Sequence, residues 1–267
     1  MKKAFTLIET LVAVGILAVM VSFSSVVFKA GIDSTRVADA NAEIMRNLRA
    51  ITNQLDSDFR GIRREVAKLP LQFATEKSDF GDGYPPDVNS DSIAFFANGD
   101  FQSTQQYLYK RPAGDRYELV AGNVAAIFYG LIDSDSYGTI PEPRYKILAR
   151  RQTILTSDQY LVSAPDMLGE YFKSSLSELQ ADTLFDPNVL LSKPHMTPGN
   201  RADLAVYMAR GVDDFRIEYS EGGLNWEHVK KPGGISPVAF KFSFRLYDSK
   251  GIIKNGRRFS YIVYVGG

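Results

Sequence analysis

Cysteine is absent from the 267 residues, which excludes disulfides, thiolate metal centres and a cysteine nucleophile. Histidine occurs only as His195 and His228. Neither has a companion at ligand spacing, so both read as surface or hydrogen-bonded polar residues. Net charge is missing as well: 31 Lys and Arg balance 31 Asp and Glu. Without a basic excess to release counterions from phosphates, nucleic acid is not an expected partner. No Gly-rich phosphate loop, Gly-x-Ser-x-Gly elbow or His-Glu-x-x-His string occurs, so the chain is not read as an enzyme. Proline is lacking from residues 1–69, and nothing there forces a helix to break.

What is present is one long apolar run. From Thr10 to Phe28 no charged residue appears, while Leu, Val, Ile, Met and Phe dominate. At a rise of about 1.5 Å per residue this segment spans roughly 28 Å, close to the hydrocarbon thickness of a bilayer. Lys2 and Lys3 precede it, which favours a cytosolic N-terminus and an exported remainder. A cleaved secretory signal would need a small-x-small site, and only Ser22-Phe23-Ser24 approximates one. A plain anchor explains the length but not Glu9: a carboxylate near the middle of a membrane helix costs about 2.5–3.5 kcal/mol, less near the end where Glu9 lies, and an intramembrane carboxylate marks a functional candidate.

Lys2-Lys3-Ala4 followed by Phe5-Thr6-Leu7-Ile8-Glu9 and an apolar helix resembles the class III leader and mature start of type IV pilins and pseudopilins. The resemblance implies that a prepilin peptidase cuts between Ala4 and Phe5 and methylates the new Phe5 amine, leaving the helix on the mature protein. It also implies that Glu9 pairs with the N-terminal amine of a neighbouring subunit during assembly. The geometry suits that role: Phe5 and Glu9 are four residues apart, about one helical turn. Glu9 also lies in the first turn, where the helix dipole favours negative charge. Ala4 stands where the family usually has glycine, one methyl larger.

Beyond the apolar run, Ile44, Leu48, Ile51, Leu55, Phe59, Ile62, Val66 and Leu69 recur at gaps of three or four. The periodicity predicts one helix from the membrane to Pro70, with Gly31 and Gly61 as points of bending. The domain plan is therefore a leader at 1–4, a membrane and assembly helix at 5–30, its soluble half at 31–69 and a β-rich head at 70–267. Strands are predicted at 92–97, 106–110, 116–120, 124–132, 144–156, 212–219, 238–246 and 259–265, with a short helix at 167–180. The clearest alternation sets Val238, Phe240, Phe242, Phe244 and Leu246 against Lys241, Ser243 and Arg245. One long helix followed by antiparallel strands gives a pilin-like α+β fold, the helix stripe covering a sheet.

Three features of the helix end and the head are similar to the J-type minor pseudopilin of type II secretion: the helix segment Leu55-Asp56-Ser57-Asp58-Phe59-Arg60, Gly211–Tyr219 followed by Trp226, and Pro237-Val238-Ala239. This resemblance implies a structural subunit at or near the tip of a pseudopilus. It further implies a single-pass protein of the inner membrane with a periplasmic head, whose partners are the peptidase, other pseudopilins and an inner-membrane assembly platform. A minor pilin of a type IV pilus and an uncleaved, membrane-tethered binding or hydrolytic domain are the alternatives. Asp79, Asp82, Asp87, Asn89 and Asp91 crowd one loop, and Asp133 and Asp135 another. Their oxygen-rich chemistry would suit calcium, although the spacing is not that of an EF-hand and a solvated loop is the plainer reading. Arg60, Arg63, Arg64 and Lys68 form a basic cluster read as a solvated face.

Overall fold

The computed structural model describes residues 7–62, 72–74, 88–111, 114–132, 142–156, 171–173, 207–222, 225–228 and 237–265. Helix α1 spans Leu7–Arg60, 54 residues without a break. At about 1.5 Å per residue it is roughly 80 Å long. Three hydroxyls in the apolar half are satisfied by the helix itself: Thr10 donates to the Leu7 carbonyl, Ser22 to Ala18 and Ser25 to Val21. Gly31 lies inside the helix.

The helix ends earlier than the periodicity predicts, at Arg60 instead of just before Pro70. Gly61 and Ile62 close the last turn by donating to the carbonyls of Asp58 and Phe59. The Gly61 carbonyl then accepts from the Asn98 amide at 2.9 Å. A Cβ at position 61 would lie 2.3 Å from the Asn98 oxygen. The sheet backbone thus takes the Gly61 carbonyl that a continuing helix would pair with its own next turn. Val66 and Leu69 of the predicted stripe lie outside the described residues.

The first sheet contains β1 (Gln72–Ala74), β2 (Ser92–Arg111), β3 (Gly114–Leu131), β4 (Ile147–Thr156), β5 (Tyr171–Lys173) and β6 (Tyr207–Arg210). Its order is β1-β2-β3-β4-β5, with β6 also paired to β4. The segments predicted as separate strands at 92–97 and 106–110 are one strand, as are 116–120 and 124–132 up to Leu131. Asn98-Gly99-Asp100 resembles a turn in sequence, but pairing with β3 resumes at Phe101 after a register shift, so the polar residues sit in a bulge. The helix predicted at 167–180 is overturned at Tyr171–Lys173, which pairs parallel to β4; the remainder of that range lies outside the described residues.

The second sheet contains β7 (Val212–Ser220), β8 (Glu227–His228), β9 (Ala239–Leu246) and β10 (Arg257–Tyr264), in the order β10-β9-β7-β8. The chain passes between sheets at Gly211, which has φ +76°. The Gly211 amide donates to the Lys146 carbonyl at 2.7 Å, and its carbonyl accepts from Tyr247 at 2.9 Å. A Cβ there would meet the Tyr247 oxygen at 2.5 Å, so both the dihedral and the space require glycine.

One core joins all three layers. Ile44, Ile51, Leu55 and Phe59 of α1 meet Ile93, Phe95, Ile127 and Tyr129 of the first sheet and Phe215, Phe240, Phe242 and Phe244 of the second. The Phe59 ring is central, with centroids 4.4 Å from Phe95, 5.2 Å from Phe240 and 5.4 Å from Phe242. The alternation read from β9 is the one observed: Phe240, Phe242, Phe244 and Leu246 are fully buried.

Candidate assembly interface

The two ends of α1 have opposite surroundings. From residue 7 to residue 39 every position is exposed, including Leu11, Leu17, Phe23 and Phe28 at 60–74 %. Burial begins at Ala40 and continues through Ile44, Ile51, Leu55, Asp58 and Phe59. About 50 Å of helix therefore projects beyond the head at 1.5 Å per residue. Its first eighteen residues or so are apolar on all faces, unlike an amphipathic surface helix. Among the described residues α1 is the one helix long and apolar enough to cross a membrane. Glu9 is placed in its first turn, on the projecting half.

The docked half is held by polar tethers as well as by its stripe. Asp58 is buried and accepts from Arg150 through two atoms, Nε at 2.6 Å and a terminal nitrogen at 2.8 Å. The Tyr129 hydroxyl donates to the same carboxylate, and Gln54 adds a bond at 3.1 Å. Burial first, and the Asp58 carboxylate second, hold the Tyr129 hydroxyl well above the usual phenol range, so it remains a donor. Burial opposes the charge on Arg150, but its hydrogen bonds to Asp58 together with the charge interactions of Tyr129 and Asp58 outweigh this and raise its pKa. The second sheet grips the neighbouring position, with Tyr261 donating to Asp56 at 2.6 Å. Lower on the helix, Ser249 donates to Glu43 through its amide and its hydroxyl, both at 3.1 Å, and Asn47 donates to the Arg210 carbonyl at 3.3 Å.

Tethers at positions 43, 47, 56 and 58 span about 22 Å of helix. They engage both sheets, so the head cannot rotate about the rod without breaking several bonds. The projecting half and the head consequently behave as one rigid lever. Sequence periodicity located the stripe but missed these tethers. Asp58, Arg150 and Tyr129 are far apart in sequence, and the available clue was a carboxylate beside Phe59 where the pattern is otherwise apolar.

The remaining sequence candidates fall in different places. Ala4 and Phe5 lie outside the described residues, as do Asp79, Asp82, Asp87, Asp133, Asp135, His195, Arg63, Arg64 and Lys68. Asp91 is described and buried. It fills a gap along the β7 edge, where it accepts from the Ile217 amide and lies beside His228 Nε2, each at 2.8 Å. Burial raises its pKa, opposed by the Ile217 amide and His228. Asn89 donates twice to Asp214. Among the described residues no three His, Asp or Glu side chains come together as a metal site.

Residues 1–25 match the family described as the prokaryotic N-terminal methylation motif. The chain opens with the methylation motif of that family. The match covers Ala4, Phe5, Glu9 and most of the apolar run, and the helix that projects from the β-rich head begins within it. No curated protein sequence matches the chain. Among solved structures, a chain in the crystal structure of the GspK-GspI-GspJ complex from the type 2 secretion system of enterotoxigenic Escherichia coli is similar at 12 % identity. That likeness covers 84 % of this chain and 97 % of the other, with a TM-score of 0.37. Similarity at this level fixes neither the topology nor the role of the head.

Proposed function

We propose that the chain is a minor pseudopilin, a structural subunit inserted through α1 in the inner membrane with its head on the periplasmic side. Cleavage between Ala4 and Phe5 and methylation of Phe5 precede its entry into a filament, where helix packing holds the subunits together. The observation that carries this reading is the projecting half of α1, free of charge on every face from Thr10 to Phe28 yet continuous with a helix tied to a folded head at several points. A membrane tether needs no such rigidity, whereas a subunit that must place its head at a fixed height and rotation on a filament does. Glu9 is proposed to receive the methylated amine of an adjoining subunit. In a dehydrated helix bundle an unmatched carboxylate is costly, which makes the pair a test of register.

Assignment to type II secretion and to the tip is supported by the three J-type segments. They belong to one packed unit: Phe59 at the end of α1 contacts Phe240 and Phe242 on β9, and Phe215 on β7 lies 6.0 Å from Phe242. A type IV pilus subunit would share everything through Phe28, so this finer assignment rests on the head alone. Mass spectrometry of the mature N-terminus is the direct test. A chain beginning with methylated Phe5 is expected; an intact Met1 or a start near Ser25 rejects filament entry altogether. Co-purification with pseudopilins, and not with pilus subunits, is expected in cells that contain both systems.

A further inference from the structure

The two sheets differ in their second faces. The first sheet buries Ala94, Phe96, Ala126 and Phe128 on the side away from α1. The second sheet does not. Its outer positions follow from strand register and alternation: Arg216 and Glu218 on β7, Lys241, Ser243 and Arg245 on β9, and Arg258, Ser260, Ile262 and Tyr264 on β10. Four cations are met there by two carboxylates. Glu218 is shared between Arg216 at 3.0 Å and Lys241 at 2.5 Å, and Asp214 pairs with Arg258. In a chain whose formal net charge is zero this face carries a local positive excess. Its floor is the hydroxyl pair of Ser243 and Ser260, 2.9 Å apart, which can turn a donor outward.

The edge of this face is also polypeptide-shaped. Among the described residues β10 pairs with β9 alone, although it is eight residues long. Proteins usually blunt such an edge, because its unpaired backbone groups template another strand. Arg258 supplies charge, but Ile262 and Tyr264 at the other end are 41 % and 60 % exposed. We infer that the β10 edge and the adjoining cationic face form a docking site for an extended, carboxylate-rich segment of another protein. The segment adds as a strand beside β10, with main-chain bonds giving affinity and alternate acidic side chains reaching Arg258, Arg245 and the serine floor. On the same face, the methylene stems of further acidic side chains cover Ile262 and Tyr264.

Other anions fit less well. The β7, β9 and β10 rows span only about 10 Å, the width of a single extended chain and short of a duplex. Tyr261 of β10 lies beside Asp56, about 42 Å along α1 from Phe28, many Debye lengths from lipid headgroups. The site stands independently of filament entry, so it can fail while the assembly reading survives, and the reverse.

The test uses the full chain in detergent micelles and a fluorophore-labelled peptide of alternating Glu and Val, about eight residues long to match β10. Saturable binding is expected, weakened by about tenfold in Arg258→Glu and reduced by high salt. Arg258 is mostly exposed but pairs with Asp214, so the fold of Arg258→Glu is checked by its unfolding midpoint; Ser260→Asp, which places a carboxylate in the exposed floor, is a second variant expected to abolish binding. The inference is overturned by absence of binding, by equal affinity in both variants, or by equal binding of a Lys and Val peptide or of an oligonucleotide.

Discussion

Helix α1 is one continuous secondary structure that meets two different environments, and its two halves solve the problem of carrying a carboxylate differently. In the docked half, Asp58 is taken out of water and answered within the chain by Arg150, Tyr129 and Gln54. In the projecting half, Glu9 sits on a segment with no buried position from residue 7 to residue 39. The docked acid sets where the head sits on the rod. The projecting acid is proposed to set where the rod sits among other rods. Packing in the first case is intramolecular and contributes to folding; in the second it is left for membrane and neighbours.

Removing the docked acid should have the largest effect on the fold. Asp58→Ala strands a half-buried guanidinium and a buried phenol, and loss of one partner of such a pair costs about 3–5 kcal/mol at most. Chemical unfolding of the purified chain, followed through its single tryptophan, Trp226, is the measurement. A change below about 1 kcal/mol, the range of an exposed ion pair, would show that the tether is solvated. Next in size is Gly61→Ala. Its new methyl group meets the Asn98 oxygen at 2.3 Å, so either helix end or strand must move. An overpacking cost of about 1–3 kcal/mol is expected in the same assay.

The same boundary explains what could be read in advance. The apolar run and the Ile44, Ile51, Leu55 and Phe59 stripe were legible because a helix repeats its environment every three or four residues. The Phe240, Phe242 and Phe244 alternation was legible because a strand repeats it every second residue. The end of the helix was not legible. Val66 and Leu69 continue the period, and the stop comes from Asn98, a residue 37 positions beyond Gly61 that local pattern cannot reveal. Nor could the bulge at Asn98-Gly99-Asp100 be distinguished from a turn, since both need the same small polar residues. At the candidate site, Glu9 was conspicuous as a charge beside an apolar run. Asp58 was inconspicuous because its partners lie on strands 71 and 92 residues away.

A smaller effect concerns the turn that grips Glu43. Asp248 is fully buried, and burial pushes its pKa up, but the Ile253 and Ile252 amides outweigh this and hold it below the ordinary value of 3.8. With the folded value below the unfolded one, its contribution is complete above about pH 3.8 and disappears as pH falls through the depressed value. Asp248→Asn should therefore cost about 1 kcal/mol near neutrality and flatten the acid limb of the stability curve. Unfolding midpoints measured across the acid range would decide it; an unchanged slope would mean that other carboxylates dominate acid loss.

The least effect on the fold is expected where the sequence is most conspicuous. Leu17→Ala and Glu9→Gln lie on the projecting half, contribute no buried surface to the head and should shift its unfolding by less than about 0.5 kcal/mol. Their consequences belong to a different assay. Glu9→Gln keeps the length and apolarity of the segment, so cleavage before Phe5 is expected to persist by mass spectrometry while recovery in sheared filament fractions falls steeply. If Glu9→Gln instead lowered the stability of the isolated chain, the projecting half would be contributing to the fold of the head, and the division of α1 into a folding half and an assembly half would fail. If filament recovery were unchanged, that division would stand, and register among subunits would have to come from the shape of the helix alone.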